Sequence, residues 1–183
     1  MTKNKKGFTI IEVVLVLAIA GLIFLMVFIA LPALQRSQRN TRRRQDMSRI
    51  LSSFTDYAAN NGGKVPTDTA KLATLVNRYI VGASGYAASG TVTVDTSGTS
   101  GVMTCGDHEQ FCDPDGTSYY FSTPAAQGTT ATAYSGSFDH QIKYKYHAKC
   151  GSDEGQVVKG NGDSDIAIAY ILEGGAVYCG DNQ

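Results

Sequence analysis

From Val13 to Leu31 the chain runs 19 residues without a charge or a strongly polar side chain. As a helix rising about 1.5 Å per residue, that run spans roughly the ~30 Å hydrocarbon core of a bilayer. The helical pattern does not stop there. Met47, Ile50, Leu51, Phe54, Tyr57 and Ala58 recur at helical spacing and make one apolar stripe on an otherwise polar segment. Asn60-Asn61-Gly62-Gly63 supplies the stop, so one helix is expected from Phe8 to Ala59, roughly 75–80 Å long. Pro32 falls inside it and removes one backbone hydrogen bond, predicting a kink or local loosening to which Gly21 contributes.

After the stop, Val65-Pro66-Thr67-Asp68 reads as an extended step and helix cap. A short amphipathic helix follows, with Leu72, Leu75, Val76, Tyr79 and Ile80 on its inner face. Residues 82–101 and 123–137 are rich in Gly, Ala, Ser and Thr and read as loops, with one strand-like piece at Thr91–Val94. Thr117–Phe121 has strand character. Ile142–Ala148 alternates apolar and polar, the mark of a half-buried strand. Residues 165–172 and 176–179 follow as strands joined by a Glu173-Gly174-Gly175 hairpin. The last forty residues are expected to form an antiparallel meander that covers the helix stripe.

Charge changes the picture by its segregation. The formal net charge is zero, yet residues 1–7 carry three lysines and residues 8–49 carry six arginines against two acids, net +4. Residues 50–183 hold seven bases and fourteen acids, net −7, which argues against a general nucleic-acid surface. Lys3, Lys5 and Lys6 favour a cytoplasmic start, but Arg36, Arg39, Arg42, Arg43 and Arg44 flank the other end, so charge alone does not orient the span. This arginine cluster reads as a solvated helix face, with lipid phosphates or acidic neighbours as the alternative partners. Four cysteines in an exported head allow two disulfides in three connectivities. The preferred pairing is Cys105–Cys112, close in sequence, with Cys150–Cys179.

One acid breaks the apolar start. Glu12 sits at the edge of the run, where a carboxylate in hydrocarbon costs roughly 2.5–3.5 kcal/mol and needs a partner. With the Lys-rich leader, the Gly7-Phe8 step and the apolar run, Glu12, fifth counting from Phe8, completes a pattern that resembles the type IV pilin family and its pseudopilin relatives. The resemblance covers about 35 residues. It implies cleavage between Gly7 and Phe8, N-methylation of Phe8, and a Glu12 that meets the amine of a neighbouring subunit's Phe8. It also implies a membrane peptidase/methyltransferase, an assembly platform and an ATPase as partners. A secretory signal peptide has a shorter apolar region with a small-residue site behind it, and a plain anchor explains neither Glu12 nor Gly7-Phe8. The order of long helix, Asn-Asn-Gly, valine-proline step and short helix is similar, more loosely, to the pilin and major-pseudopilin layout.

Candidate chemistry is sparse. No GxxxxGK[ST] loop occurs, so ATP use falls to a partner. His108, His140 and His147 have no ligand-like spacing. His108, between Cys105 and Cys112, fits a disulfide-closed loop better than zinc. His147 is read as exposed on the polar side of its strand. Asp113-Pro114-Asp115-Gly116 before Tyr119-Tyr120-Phe121 resembles a segment of major pseudopilins, some of which bind calcium. The same four residues make a good turn, and that reading is preferred. Asp163 and Asp165 offer a weaker calcium case. No nucleophile–base pair stands out, so no enzyme and no cofactor are expected.

The expected architecture is α+β: a leader (1–7), a transmembrane assembly half of the helix (8–34), its head half (35–59), and a globular head (60–183) whose antiparallel sheet packs on the helix. The expected function is a prepilin, held in the cytoplasmic membrane with its head outside. It would polymerise with copies of itself into a surface fibre for adhesion, twitching or DNA uptake. A pseudopilin of a secretion or competence system is the near alternative, and a membrane-anchored binding module that never polymerises the distant one.

Overall fold

A computed structural model describes residues 7–81, 101–102, 112–122, 125–137 and 139–183. Helix α1 (Ile10–Asn60) is the longest element. The chain divides into two compact units, Met1–Gln38 and Arg39–Gln183, taken separately below.

In the first unit, α1 begins at Ile10 and stays helical through Gly21 and Pro32. Its apolar side chains lie open: Leu22 is 67% exposed, Phe28 73% and Met26 77%. Such a surface in water would be an extreme apolar patch, whereas in lipid it is the ordinary exterior of a span. The helix is long and apolar enough to cross a membrane.

In the second unit the rest of α1 lays its stripe on a sheet. Met47, Ile50, Phe54, Tyr57 and Ala58 are buried, as their 3.6-residue spacing requires. Phe54 meets Tyr144 (ring centroids 4.7 Å) and the edge of Phe121 (6.2 Å). At the helix end Gly62 and Gly63 adopt positive φ (66° and 78°), and the Gly63 amide reaches back to the Ala58 carbonyl at 2.8 Å. That closes the orphan carbonyls of the last turn. Helix α2 (Thr69–Leu75) is capped by Asp68, which accepts from the Lys71 amide at 2.8 Å, and continues as a π-helical segment, Val76–Val81. Leu72, Leu75, Val76 and Ile80 close the same core.

The strands are β1 (Gly101–Val102), β2 (Tyr120–Phe121), β3 (Ala125–Ala126), β4 (Thr132–Ala133), β5 (Gln141–Tyr146), β6 (Ala148–Cys150), β7 (Gln156–Lys159), β8 (Ile166–Ile171) and β9 (Val177–Asp181). The main sheet runs β1-β2-β5-β8-β9, with β3 also on β5, and a smaller sheet runs β4-β7-β6. The layout is the expected α+β one. Three details differ from expectation. The strand foreseen over 142–148 ends at Tyr146, because His147 takes φ 53° and turns the chain so that β6 joins the other sheet. The final segment is therefore not one meander: β6 and β7 are inserted between β5 and β8, which pair with each other. The segment read as a loop over 123–137 contributes two short strands, β3 and β4, and β2 and β3 run parallel to β5. The strand-like piece at Thr91–Val94 lies outside the described residues.

Strand β8 explains how two sheets share one head. All six of its residues are buried. Ile166, Ile168 and Tyr170 point to the helix-side core, while Ala167 and Ala169 face a second cluster with Ala148, Val157 and Tyr134. Large residues fill the space under the helix, and alanines let the small sheet approach closely. Cys150 and Cys179 form a disulfide between β6 and β9, Cα–Cα 5.9 Å. Ala169→Leu should overpack the second cluster and cost about 1–3 kcal/mol, read as a lowered unfolding midpoint of the full chain in detergent; an unchanged midpoint would contradict close packing there.

Candidate functional site

Two polar constellations stand out, one in each unit. The first is at the start of α1. Gly7, Phe8 and Thr9 are not helical, and Phe8 is 89% exposed. The Thr9 carbonyl accepts from the Glu12 amide at 3.1 Å and from Val13 at 3.4 Å. In return the Glu12 Oε2 accepts from the Thr9 amide (3.0 Å) and from the Thr9 hydroxyl (2.8 Å). Thr9-x-x-Glu12 thus has the spacing of a capping box and makes one of its two bonds, the Glu12 carboxylate reaching back to the Thr9 amide. Glu12 has an intrachain partner, which answers part of its need, but both donors are neutral and the net charge persists.

The second lies inside the head. The arginine cluster was expected as a solvated face, and that is wrong for Arg43, whose side chain has no exposed surface. Arg43 lies four residues before Met47 on the buried stripe, so helix geometry turns it inward. Its Nε and Nη2 grip Asp113 Oδ2 and Oδ1 at 2.6 and 2.5 Å, and its Nη1 donates to Glu173 Oε1 at 2.6 Å and to Asn40 Oδ1 at 3.1 Å. Arg39 adds a second fork to Glu173 at 2.8 and 2.7 Å. The Tyr170 hydroxyl donates to Asp113 and the Tyr119 hydroxyl to Asp46, each at 3.0 Å. Arg36, Arg42 and Arg44 are exposed.

Electrostatics follow from these contacts. Hydrogen bonds from Arg39, reinforced by Arg43, lower the Glu173 pKa to about 2 against partial burial. Burial alone would lower the Arg43 pKa, but hydrogen bonds to Asp113 and Glu173 reverse that and raise it. Burial raises Asp46, partly offset by Tyr119. Among the described residues, no buried side-chain polar atom lacks a partner.

The expected calcium residues separate into two places. Asp113-Pro114-Asp115-Gly116 is a turn, with the Gly116 amide on the Asp113 carbonyl at 2.8 Å and Gly116 at φ 88°. Asp113 and Asp115 lie with His140, whose Nε2 is 2.6 Å from Asp115 Oδ2. This donor set does not fit a hard dication: both Asp113 oxygens are held by a buried guanidinium, which also stands 3.8 Å from Asp115. Asp165 is spent on its own turn, accepting from the Asn161 and Gly162 amides at 2.7 Å each, and exposed Asp163 lies 3.5 Å from the half-buried His147. Cys112 is disulfide-bonded, while Cys105 and His108 lie outside the described residues. Sequence reasoning did not find the Arg43–Asp113–Glu173 network; the available signal was the 43-46-47-50 spacing of the stripe.

These features define an exposed apolar helical unit, which fits a membrane-anchored precursor, and a head of α+β pilin-like layout. Residues 2–28 match the prokaryotic N-terminal methylation motif, the signature of type IV pilin and pseudopilin precursors, and the motif implies processing by a prepilin peptidase. No curated protein and no solved structure matches the chain.

Because the folded Glu173 pKa is depressed, its stabilising contribution is whole above the ordinary value of 4.5 and fades as pH falls towards about 2. Glu173→Gln should lower stability at neutral pH by about 1–3 kcal/mol and flatten that acid-side loss. Urea unfolding of both proteins between pH 7 and pH 2 checks it, and parallel curves would contradict the ion-pair assignment.

Proposed function

We propose that this chain is a structural subunit of a type IV pilus. In this reading the precursor waits in the membrane through residues 8–34, loses its leader after Gly7, and is extracted by an assembly platform and its ATPase into a helical homopolymer. The single observation that carries the reading is the conjunction in the first unit. A non-helical Gly7-Phe8 junction, a carboxylate one helical turn beyond it and an uncovered apolar helix lie within the matched motif. A non-helical junction suits a peptidase, since a helical peptide bond has its amide and carbonyl already engaged. The uncovered helix supplies the surface that stacked copies would share. The neutral capping of Glu12 leaves its charge available to a neighbour's Phe8 ammonium, the stronger partner in a low dielectric. The role is structural, without catalysis and without a cofactor. The arginine-clamped head serves as a rigid outer shell.

A pseudopilin of a secretion or DNA-uptake system would share all of this and differ in abundance. Sheared surface fibres consisting mainly of this chain support the pilus, and their absence with a short periplasmic assembly supports the other.

Replacing Gly7 with a bulky residue should leave the precursor uncut, and a mature-mass spectrum from that variant would contradict the cleavage site. Glu12→Ala should leave the precursor processed and membrane-bound but cut fibre yield severely, since only the intersubunit partner is lost beyond a helix cap worth about 1 kcal/mol. Normal fibre yield, measured as sheared material per cell, would refute the pairing.

A further inference from the structure

We infer that the head carries a binding site for an acidic sugar, in a surface pocket of about 340 Å³ where the end of α1, the approach to α2 and the β5–β6 corner meet. That volume is at the small end of the roughly 300–1,000 Å³ of small-molecule clefts. The inference stands apart from the fibre reading, since a pilus or a pseudopilin could equally present it.

The argument begins with charge. Residues 50–183 hold fourteen acids and only seven bases, and two of those bases, Lys64 and Lys71, line this one pocket. Among the described residues Lys64 has no carboxylate partner. Lys71 is paired with Asp68 at 2.6 Å and donates to the Thr67 hydroxyl at 3.2 Å, but both ionic side chains are half exposed, at 52% and 48%. Such a pair is weak, and an ammonium with three donors can hold a ligand as well. An anionic group is therefore favoured here on an otherwise acidic head.

The remaining lining narrows the chemistry. Asp163, 94% exposed, offers acceptors only and lies 3.5 Å from the His147 imidazole. A fully ionised inorganic anion has no donors for Asp163 and would be repelled by it, while a neutral sugar would accept hydrogen bonds from the lysines but leave their charge uncompensated. A carboxylate that also carries hydroxyls uses both ends: the lysines take the charge, and Asp163, His147 and the Thr67 hydroxyl take the ring hydroxyls. Tyr57, 5% exposed and braced by the edge of Tyr79 at 5.5 Å, makes a rigid wall. His147 extends the polar wall. It holds φ 53° at the β5–β6 corner, a conformation that glycine adopts at no steric cost, and places an imidazole in the pocket there.

The test uses the full chain in detergent micelles with D-glucuronate as the probe, followed by saturation-transfer NMR. Saturable binding is expected. Lys64→Ala should weaken it at least tenfold, and so should His147→Asn, which tolerates the same backbone conformation. Lys159→Ala, an exposed lysine on β7 outside the pocket, should leave binding unchanged. Circular dichroism of each variant checks that the head is folded. Any of four results overturns the proposal: no saturable signal, wild-type binding in folded Lys64→Ala, equal competition by inorganic phosphate, or equal binding of D-glucose.

Discussion

The head depends on one buried cation. Arg43 on α1 is held by Asp113 from the loop before β2 and by Glu173 from the β8–β9 turn, so three segments distant in sequence meet at one guanidinium. Taking the Arg43 and Asp113 charges out of water costs several kcal/mol per ion, and an apolar cluster of the same volume would stabilise the fold as well or better. Geometry is what the ionic version adds. A bidentate fork holds only within a few tenths of an ångström and a narrow range of angles, whereas methyl groups slide past one another. The Asn40 amide repeats the constraint, donating to the Glu173 carbonyl at 3.0 Å and accepting from its amide at 3.2 Å. Together they fix which turn of the helix faces which turn of the sheet.

That constraint was the least legible part of the sequence. The stripe from Met47 to Ala58 was readable because apolar residues recurring every 3.6 positions fall on one side of a helix and on no single face of a strand. Arg43 and Asp46 continue the same face, yet a polar residue in a polar segment gives no sign of being buried until its partners are known. The stop at Asn60–Gly63 and the hairpin at Glu173–Gly175 were readable from their turn residues, whereas the Thr9–Glu12 contact was not anticipated. The break at His147 was not, since a histidine between alternating residues looks like one more strand position. Nor were β3 and β4: two-residue strands of Ala and Thr carry no periodicity. In β8 the alternation of isoleucine with alanine marked a strand, but not that both faces would be covered.

Under the proposed fibre, the energetics of the first unit run against a common intuition. The exposed side chains from Ile10 to Leu34 are already in an apolar medium while the precursor sits in lipid, so stacking copies gains little from the hydrophobic effect. What stacking does change is the electrostatics at one end. In lipid, Glu12 accepts only neutral hydrogen bonds from Thr9, and its charge stays uncompensated. Beside the ammonium of a neighbour it would gain a partner of opposite sign. That term favours a particular axial offset between copies, so it selects register more than it drives extraction. Pulling the apolar helix out of the bilayer then needs work from outside the chain, as an ATP-driven platform would provide. Once the helices are stacked away from lipid, the reverse path leads through water. There, exposing the same side chains costs about 25 cal/mol per Å² of apolar surface. An assembly that is near neutral to form from the membrane is therefore costly to dissolve outside it.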